Sequence, residues 1–349
     1  MTTNPIMPGA IAMADSNIWK LFSRISRIVR RNVARFLIAV LLFGNAATAI
    51  AADDAAKPEP GKAPPASNKT RLILLGTAAG PTPKPRNQPA NALIVNDQVY
   101  IVDAGDGAAR QLFLSGTSLK NIKAIFITHQ HSDHNAGYGN LLLLSWAAGR
   151  RNVIDTYGPP PPEKMTKLFI EMNEWDITLR EKEEHRPDFA SLVRAHDFLN
   201  EGPIYSDENV KVSAFLVDHY GAKPAYGFRF ETPDKVIVFS GDTAPNQNLV
   251  HRAKGADILV HEVINEEGIS ELVNRIDPGN AGLKDHLVRA HTPSTEAGKI
   301  ATAAQVKKLV LTHFAPSGGP FGKDELWLKD VQKDFKGTVI VGHDLMVIE

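Results

Sequence analysis

The stretch Thr128-His129-Gln130-His131-Ser132-Asp133-His134 decides the fold of this chain. It places four potential metal ligands within six residues, directly after the apolar run 124–127. A short apolar run rich in β-branched residues predicts a buried strand, so the four side chains are expected on the loop that leaves the end of that strand. Imidazole suits zinc and carboxylates suit harder ions, so the mixture indicates a site for zinc or a similar divalent ion.

These four side chains divide into two pairs along the chain. His129 and His131 alternate and can share one ion, whereas Asp133 and His134 follow after a turn and can serve a second ion. The alternative is a polar loop with coincidental histidines, and the density of potential ligands argues against it.

The spacing His-x-His-x-Asp-His after a strand resembles the signature of the metallo-β-lactamase fold superfamily of hydrolases. Three further matches follow in the order that the superfamily has, each at the end of an apolar strand: His219, Asp242 and His313. The resemblance covers residues 71–349. It implies an α/β fold in which two sheets are covered by helices on both sides, a four-layer αββα sandwich.

By the resemblance, the metal ligands form two sets joined by one bridging residue: His129, His131 and His219; Asp133, His134 and His313; and Asp242 as the bridge. The implied cofactor is Zn²⁺, two ions per chain. Two such ions, about 3.5–4 Å apart, share a hydroxide that attacks the ester, and zinc lowers the pKa of bound water towards about 7. Asp133 would then be a catalytic residue as well as a ligand, because it can accept the proton of that hydroxide.

A second resemblance concerns His291, which lies outside the ligand set. The segment 291–298 resembles the His-Ser/Thr-Thr segment of the ribonuclease Z branch, which implies that His291 supports the transition state and the leaving group. A cationic imidazole facing a developing oxyanion suits phosphoryl or sulfuryl transfer. His261 and Glu262 resemble the His-Glu segment of the same branch and would orient His291. The alternative for His291 is a structural histidine at the start of a helix.

The charge of the chain is unevenly distributed. Residues 1–51 hold six of the 39 basic residues and one of the 39 acidic residues, so the remainder has 33 basic and 38 acidic residues and a net charge of −5. A mildly acidic body has no general attraction for polynucleotides, which makes nucleic acid a poor candidate partner. The chain has no cysteine, and this excludes disulfides, a lipoprotein anchor and a cysteine metal ligand.

The first 51 residues have the pattern of a signal peptide. The basic segment 30–35 precedes the apolar run 36–51, and Ala49-Ile50-Ala51 is an A-x-A cleavage site. The apolar run is shorter than the about 20 residues that span a bilayer. The pattern therefore predicts a periplasmic or secreted protein without a stable membrane anchor after cleavage. An uncleaved anchor is the alternative, and the choice between Sec and twin-arginine export stays open. Residues 52–70 form a Pro/Ala-rich linker.

The remaining residues, 71–349, are predicted to form one domain of alternating strands and helices. Apolar runs predict strands at 71–77, 91–95, 98–102, 124–127, 153–157, 210–218, 225–231, 235–240, 257–263, 308–312 and 338–342. Strand clusters in each half, separated by helices, again indicate the four-layer sandwich. Residues 176–207 are either a cap over the site or a solvated loop. Residues 264–290 are expected to be irregular, and 293–296 to open a helix with a capping box.

Several other residues are not expected to belong to the site. The histidines without partners in the sequence are expected at the surface or in loops: His185, His196, His251, His286 and His343. Arg86 could hold an anion, although a solvated loop position is favoured.

The favoured interpretation is an exported binuclear zinc hydrolase of ribonuclease Z or arylsulfatase type, acting on a small anionic phosphodiester or aryl sulfate ester. One alternative is a β-lactamase or lactonase, and Asp242 argues against the lactamase because most lactamases have another residue there. A second alternative is a metal-binding protein without catalysis, which the complete ligand set disfavours. Sequence leaves the exact substrate, the metal identity and a homo-oligomeric state open.

Overall fold

The computed structural model describes residues 69–82 and 84–349. The predicted signal peptide and most of the predicted linker therefore lie outside the described residues. Within the described part of the chain, no helix is both long enough and apolar enough to cross a membrane.

The first half of the domain is built on one sheet. Its strands are β1 (Arg71–Gly76), β2 (Ala90–Val95), β3 (Gln98–Ala104), β4 (Ile122–Phe126), β5 (Ile154–Gly158) and β6 (Val193–Asp197). Its helices are α1 (Ala108–Leu114), α2 (Ser132–Asn135), α3 (Tyr138–Ala147), α4 (Pro162–Met172) and α5 (Glu174–Glu183). The predicted hairpin across Asn96 and Asp97 is present, and both residues have the positive φ that such a tight turn requires.

The second half is built on another sheet. Its strands are β7 (Gly202–Ser206), β8 (Lys211–Leu216), β9 (Tyr226–Glu231), β10 (Val236–Phe239), β11 (Ile258–Ile264), β12 (Lys308–Ala315) and β13 (Thr338–Val341). Its helices are α6 (Gln247–Arg252), α7 (Glu266–Ile276), α8 (Ala281–Ala290), α9 (Ser294–Ala303) and α10 (Asp324–Val331). A last strand, β14 (Val347–Ile348), returns to the first sheet and pairs with β1.

The two sheets pack face to face and confirm the predicted αββα sandwich. Within the described residues, the strand orders are β14-β1-β2-β3-β4-β5-β6 and β13-β12-β11-β10-β9-β8-β7. One core cluster joins both sheets, because Phe126 of the first sheet contacts Phe228 and Phe230 of the second. Two further clusters lie between each sheet and its outer helices. Each sheet is thus buried on both faces, one against the other sheet and one against helices.

Parallel strands bring the site residues to one edge. In the first sheet β3, β4, β5 and β6 are parallel, and in the second sheet β10, β11, β12 and β13 are parallel. The carboxyl ends of parallel strands meet at the same edge of a sheet, where ligands bind in α/β folds. This edge carries the histidine motif in the first half and the later site residues in the second.

Three local predictions were wrong. Residues 176–207 are neither a cap nor a plain loop, because they complete α5 and form the edge strands β6 and β7. Residues 264–290 are not irregular but form the helices α7 and α8. The capping box at the start of α9 is absent, since Pro293 occupies the cap position and the Ser294 hydroxyl donates to Asp330 instead.

Candidate metal centre and active site

The first group of site residues lies on the loop after β4 and on the short helix α2. The backbone N–H of Thr128 donates to the carboxylate of Asp103 at 2.8 Å, so the loop leaves the strand in a fixed direction. His131 precedes α2 in an extended conformation, and Asp133 and His134 follow within the helix. An extended residue followed by one helical turn lets four side chains so close in sequence point at one region of space.

The second group comes from three separate strand ends. His219 follows β8, Asp242 follows β10, and His313 lies near the end of β12. Glu262 pairs with Thr312 and Val263 pairs with Phe314, so His313 is the extra residue of a β-bulge. His313 has a φ of 51°, a strained conformation for a residue that is not glycine. The bulge turns its side chain towards the other site residues.

The two groups meet around the carboxylate of Asp242. One possible ligand atom from each of His129, His131, His219 and Asp242 lies within 4.8 Å of the others, and the same holds for Asp133, His134 and His313. Asp242 Oδ2 is 3.2 Å from His134 Nε2 and 3.2 Å from His313 Nε2. It is also 3.7 Å from His129 Nε2. Asp242 therefore lies between two clusters of imidazole and carboxylate groups, which is the division that the resemblance implies.

Hydrogen bonds outside the centre fix how two of the rings present their nitrogens. His134 Nδ1 donates to Asp103 Oδ2 at 2.8 Å, and His219 Nδ1 donates to the backbone oxygen of Ala290 at 2.9 Å. When Nδ1 carries the proton, a neutral imidazole has its lone pair on Nε2. Both Nε2 atoms face another ring nitrogen, His313 Nε2 at 3.2 Å and His131 Nδ1 at 3.1 Å respectively. Nitrogen lone pairs that converge in this way suit a bound cation.

The charges of the centre also favour a cation. Burial alone would raise the pKa of Asp242, but His134 and His313 hold it well below its ordinary value. Burial would lower the pKa of His134, yet Asp242, Asp103 and Asp133 raise it well above its ordinary value. The three carboxylates thus favour positive charge at His134. Metal ions at the centre would provide that positive charge instead.

The residues present fit a metal site. His129 Nε2 is buried and has no hydrogen-bond partner among the described residues, and burial holds the pKa of this imidazole well below its ordinary value. A buried nitrogen without a partner is costly unless it binds something that the protein itself does not supply. Histidine and carboxylate donors are those that zinc and its neighbours accept.

His291 lies beside the two clusters and is held by Glu262. His291 Nδ1 donates to Glu262 Oε1 at 2.9 Å, and the same oxygen accepts the backbone N–H of Thr243 at 2.7 Å. Burial would lower the pKa of His291, but the Glu262 carboxylate raises it to about 9. His291 Nδ1 is 3.9 Å from Asp242 Oδ2. The Glu262 carboxylate thus favours the protonated form of the His291 imidazole at the edge of the centre.

The predicted role of His261 differs from its contacts. Its Nδ1 bonds to the backbone oxygen of Glu262 at 2.6 Å, and its buried Nε2 has no partner among the described residues. Of this adjacent pair, Glu262 is the residue that hydrogen-bonds to His291 in the described structure. Successive residues of a strand point to opposite faces of the sheet, which explains why only one of this adjacent pair reaches His291.

Sequence reasoning missed two residues near the centre. Asp103 orients His134 and accepts a hydrogen bond from Thr128. The sequence feature that could have indicated it is a carboxylate near the end of β3, the neighbour of the strand β4 that precedes the histidine motif. His286 was expected at the surface, but its ring centroid lies 6.2 Å from that of His131. Arg86 is half-buried rather than fully solvated, and it donates to Thr77 and to the backbone oxygen of Gly342, which fixes the loop after β1.

Comparisons with known proteins agree with this geometry. The sequence pattern of the family described as "Anti-Pycsar protein Apyc1" matches residues 70–271, more than half of the chain. The chain is similar to ribonuclease Z of Mycobacterium bovis, with 31% identity over 284 residues, 80% of this chain and 97% of that relative.

Two solved structures are similar in fold. The metallo-β-lactamase fold protein YhfI from Bacillus subtilis has a TM-score of 0.59 and 19% identity, covering 80% of this chain and 100% of that one. The short form of human tRNase Z has a TM-score of 0.58 and 22% identity, covering 80% and 98%.

One assignment is consistent with the αββα sandwich, with the imidazole and carboxylate clusters and with the sequence relatives. The chain belongs to the Apyc1 family within the ribonuclease Z-like branch of the metallo-β-lactamase fold, and it is a metal-dependent hydrolase acting on ester bonds.

Proposed function

We propose that this chain is a binuclear zinc phosphodiesterase that acts on small anionic diesters, with aryl sulfate esters as a second class of substrate. The observation that carries the proposal is the meeting of two buried ligand clusters at Asp242 with His291 beside them. Zinc ions held there would lower the pKa of a water molecule and stabilise negative charge on the ester oxygens. Phosphate and sulfate esters both develop such charge, so a cationic imidazole at the same place suits either class.

Asp133 is proposed to accept the proton of the attacking water. Its Oδ2 already accepts the backbone N–H of Gly80 at 2.7 Å, so the carboxylate is held in one orientation. Burial would raise the pKa of Asp133, but His134 and His313 lower it. Asp133 is therefore ionised at neutral pH and can serve as a base, provided that the water lies within hydrogen-bond reach.

His291 is proposed to give a proton to the departing oxygen. Glu262 orients the imidazole by its hydrogen bond and favours the protonated form. The substitution His291→Ala should leave both zinc ions in place and slow turnover by roughly 10²–10⁴-fold for esters with poor leaving groups. The loss should be smaller for nitrophenyl esters, since nitrophenolate departs without a proton. Equal losses across leaving groups would show that His291 serves binding or packing instead.

The substrate class can be tested with five kinds of substrate under one set of conditions: bis(4-nitrophenyl) phosphate, 4-nitrophenyl sulfate, a chromogenic cephalosporin, a lactone and a tRNA precursor. We expect the diester to be hydrolysed best and the sulfate next. Preference for the cephalosporin or the lactone would favour the lactamase or lactonase alternative. No turnover of any substrate by zinc-loaded protein would favour a metal-binding protein without catalysis.

The tRNA precursor tests whether nucleic acid is a substrate of this chain. The relatives reported above are named ribonuclease Z and tRNase Z, which weighs against the expectation that nucleic acid is a poor partner. The body of this chain nevertheless carries a net charge of −5, which opposes polynucleotide binding. We propose the small diester on that ground, and processing of the tRNA precursor at a higher kcat/KM than bis(4-nitrophenyl) phosphate would contradict it.

Export is also proposed, on the sequence of residues 30–51 alone. Basic residues, an apolar run and a closing A-x-A triplet are the parts of a cleavable signal peptide. Mass spectrometry of the mature chain should place its N-terminus at or near Ala52. An intact N-terminus in a cytoplasmic fraction would refute export and leave the hydrolase assignment unchanged.

A further inference from the structure

One side of the candidate active site is formed by residues that neither hold metal nor contact His291. Helix α8 runs past the ligand histidines, and the backbone oxygen of its last residue, Ala290, accepts from His219. One turn earlier, the His286 ring lies 6.4 Å from that of His219. Positions 286, 289 and 290 share one face of the helix. The same face of α8 therefore carries His286 and Arg289 towards the side of the centre on which His131 and His219 lie.

Arg289 is stacked on an aromatic ring at this place. Its guanidinium carbon lies 3.8 Å from the ring centroid of Tyr220, the residue that directly follows His219 in the chain. Tyr220 is 40% exposed, and the Arg289 side chain is 53% exposed. The guanidinium thus has one face against the tyrosine and the other towards solvent. We name Tyr220, His286 and Arg289 the outer platform.

Helix α8, which carries His286 and Arg289 of the platform, is fixed to the body of the domain. Leu283, Leu287 and Val288 of α8 pack against a small core that includes Ile264 and Ile269. On the opposite side, the His286 ring lies 3.8 Å from the position that a β-carbon would take at Gly221. A helix held by packing on one side keeps its other side chains in place, so the platform is a prearranged surface.

The chemistry of such a surface favours a planar ring. A guanidinium that is already stacked on tyrosine is weakly hydrated and offers its free face to a further aromatic ring. Stacking of a base or aryl ring on such groups is worth about 1–3 kcal/mol. The ion pair of Arg289 with Asp285, 3.2 Å long and solvent-exposed, is too weakly held to prevent this use of the guanidinium.

We propose that the outer platform binds an aromatic or heteroaromatic ring on the ester substituent that is not the leaving group. The proposal rests on the proposed phosphodiesterase function, because only a diester has a second substituent. Within the platform, the His286 ring lies 6.2 Å from both the Tyr220 ring and the ring of the ligand His131. It is placed to contact the bond that joins such a ring to the phosphate.

Two substrates with the same leaving group isolate this contact. Phenyl 4-nitrophenyl phosphate and methyl 4-nitrophenyl phosphate both release nitrophenolate, so the demand on His291 is the same and only the second substituent differs. Wild-type protein should have the higher kcat/KM for the phenyl ester. Arg289→Ala should lower the ratio of the two kcat/KM values by about 10-fold, as expected for the loss of one stacking contact.

Two variants separate stacking from charge and from general damage. Arg289→Lys keeps the charge but lacks the plane, so it should lose the preference as Arg289→Ala does. Lys284→Ala removes a cation from another face of α8, where Lys284 borders a cleft against α7, and should leave the ratio unchanged. An unchanged ratio in Arg289→Ala, or full retention in Arg289→Lys, would overturn the proposal.

A binding measurement keeps the proposal independent of turnover. Titration calorimetry of zinc-loaded protein with diphenyl phosphate should show tighter binding than with dimethyl phosphate, and Arg289→Ala should remove most of the difference. If neither nitrophenyl diester is hydrolysed but this difference appears, the phosphodiesterase function fails and the platform stands. If both esters are hydrolysed equally and both phosphates bind equally, the platform fails and the phosphodiesterase function stands.

Discussion

The two halves of the domain supply the candidate metal centre in opposite ways. The first half supplies four residues from six consecutive positions, on one loop and one helical turn. The second half supplies three residues from three strand ends, and His219 and His313 are separated by more than ninety positions. The first group depends on local backbone conformation, whereas the second depends on the register of parallel strands. A single site can thus be encoded by proximity in sequence on one side and by sheet topology on the other.

The largest effect is expected at the first half's Asp133, which has two proposed tasks. Asp133→Ala removes the proton acceptor and one member of the second ligand cluster. Activity should fall by at least about 10²–10⁴-fold on every ester, whatever the leaving group. Initial rates with the nitrophenyl esters measure this. Asp106→Ala, an exposed carboxylate near the site, is the matched control and should retain activity. Retention of activity by Asp133→Ala would assign the task of proton acceptor to another residue.

Metal content tests whether the two halves share both ions. Purified protein should carry about two equivalents of zinc per chain, as binuclear sites do. His131→Ala and His219→Ala, 88 positions apart, should lose the same ion. His134→Ala and His313→Ala, 179 positions apart, should lose the other. Elemental analysis of each variant should find about one equivalent. One equivalent or none in the unaltered protein, after expression with zinc, would count against the binuclear centre.

The packing between the halves should matter for stability. Phe126 lies three positions before the histidine motif, and its ring centroid is 5.2 Å from that of Phe230 in the other sheet. Phe126→Ala should lower the free energy of unfolding by about 3–5 kcal/mol, because it leaves a cavity between the sheets. Phe113→Ala, at a ring that is 53% exposed, should change it by less than about 0.5 kcal/mol. Urea unfolding compares them, and equal losses would mean that contacts between the sheets contribute little.

The smallest effect on stability is expected from hydrogen bonds that join the two halves. Asp234, in the turn between β9 and β10, accepts from the backbone N–H and the hydroxyl of Thr70 just before β1. Burial would raise the pKa of Asp234, but Thr70 and Lys235 lower it to about 2. A lowered pKa contributes stability above the unfolded-state value of about 3.9, and this stability is lost as pH falls through about 2.

The substitution Asp234→Asn should therefore cost about 1 kcal/mol at neutral pH, a value reduced by solvent screening. The difference from the unaltered protein should shrink as pH falls from 4 towards 2, in urea unfolding at each pH. Glu231→Gln, which removes an exposed partner of Arg229, should cost only a few tenths of a kcal/mol. A cost for Asp234→Asn that is constant with pH would show that the carboxylate charge is not the cause.

The contrast between the halves also explains what could be predicted from sequence. The motif 129–134 is predictable because spacing alone determines which side chains converge. His219, Asp242 and His313 could be placed only by resemblance, since no local pattern shows which strands become neighbours. The bulge that turns His313 into the site leaves no mark in the sequence, and the role of Asp103 appears only once β3 and β4 are paired.

Other errors have the same origin. Edge strands β6 and β7 are half-exposed and carry charged or proline residues, so their apolar pattern is too weak to distinguish strands from a loop or a cap. In α7 the apolar residues Ile269, Leu272, Val273 and Ile276 do have helical spacing. The prediction of irregular structure rests on the turn residues 277–280, which occupy only the link between α7 and α8. The proximity of His286 to His131 depends on the path of α8, which no local pattern in the sequence shows.

The path of α7 and α8 has a consequence for how this enzyme could be altered. The pair leaves the sheet after Ile264 and returns at Pro293, and those two residues are joined by a β-bridge. The backbone N–H of Ile264 also donates to Thr292 at 2.9 Å. The two ends are therefore held together by contacts outside the helices, and doubling the length of such an excursion costs only about 0.6 kcal/mol in loop entropy. Residues 266–289 can be exchanged for another segment while Glu262, His291 and the Ala290 backbone oxygen that orients His219 keep their positions. Substitution of this segment can thus alter substrate specificity while the catalytic residues stay unchanged.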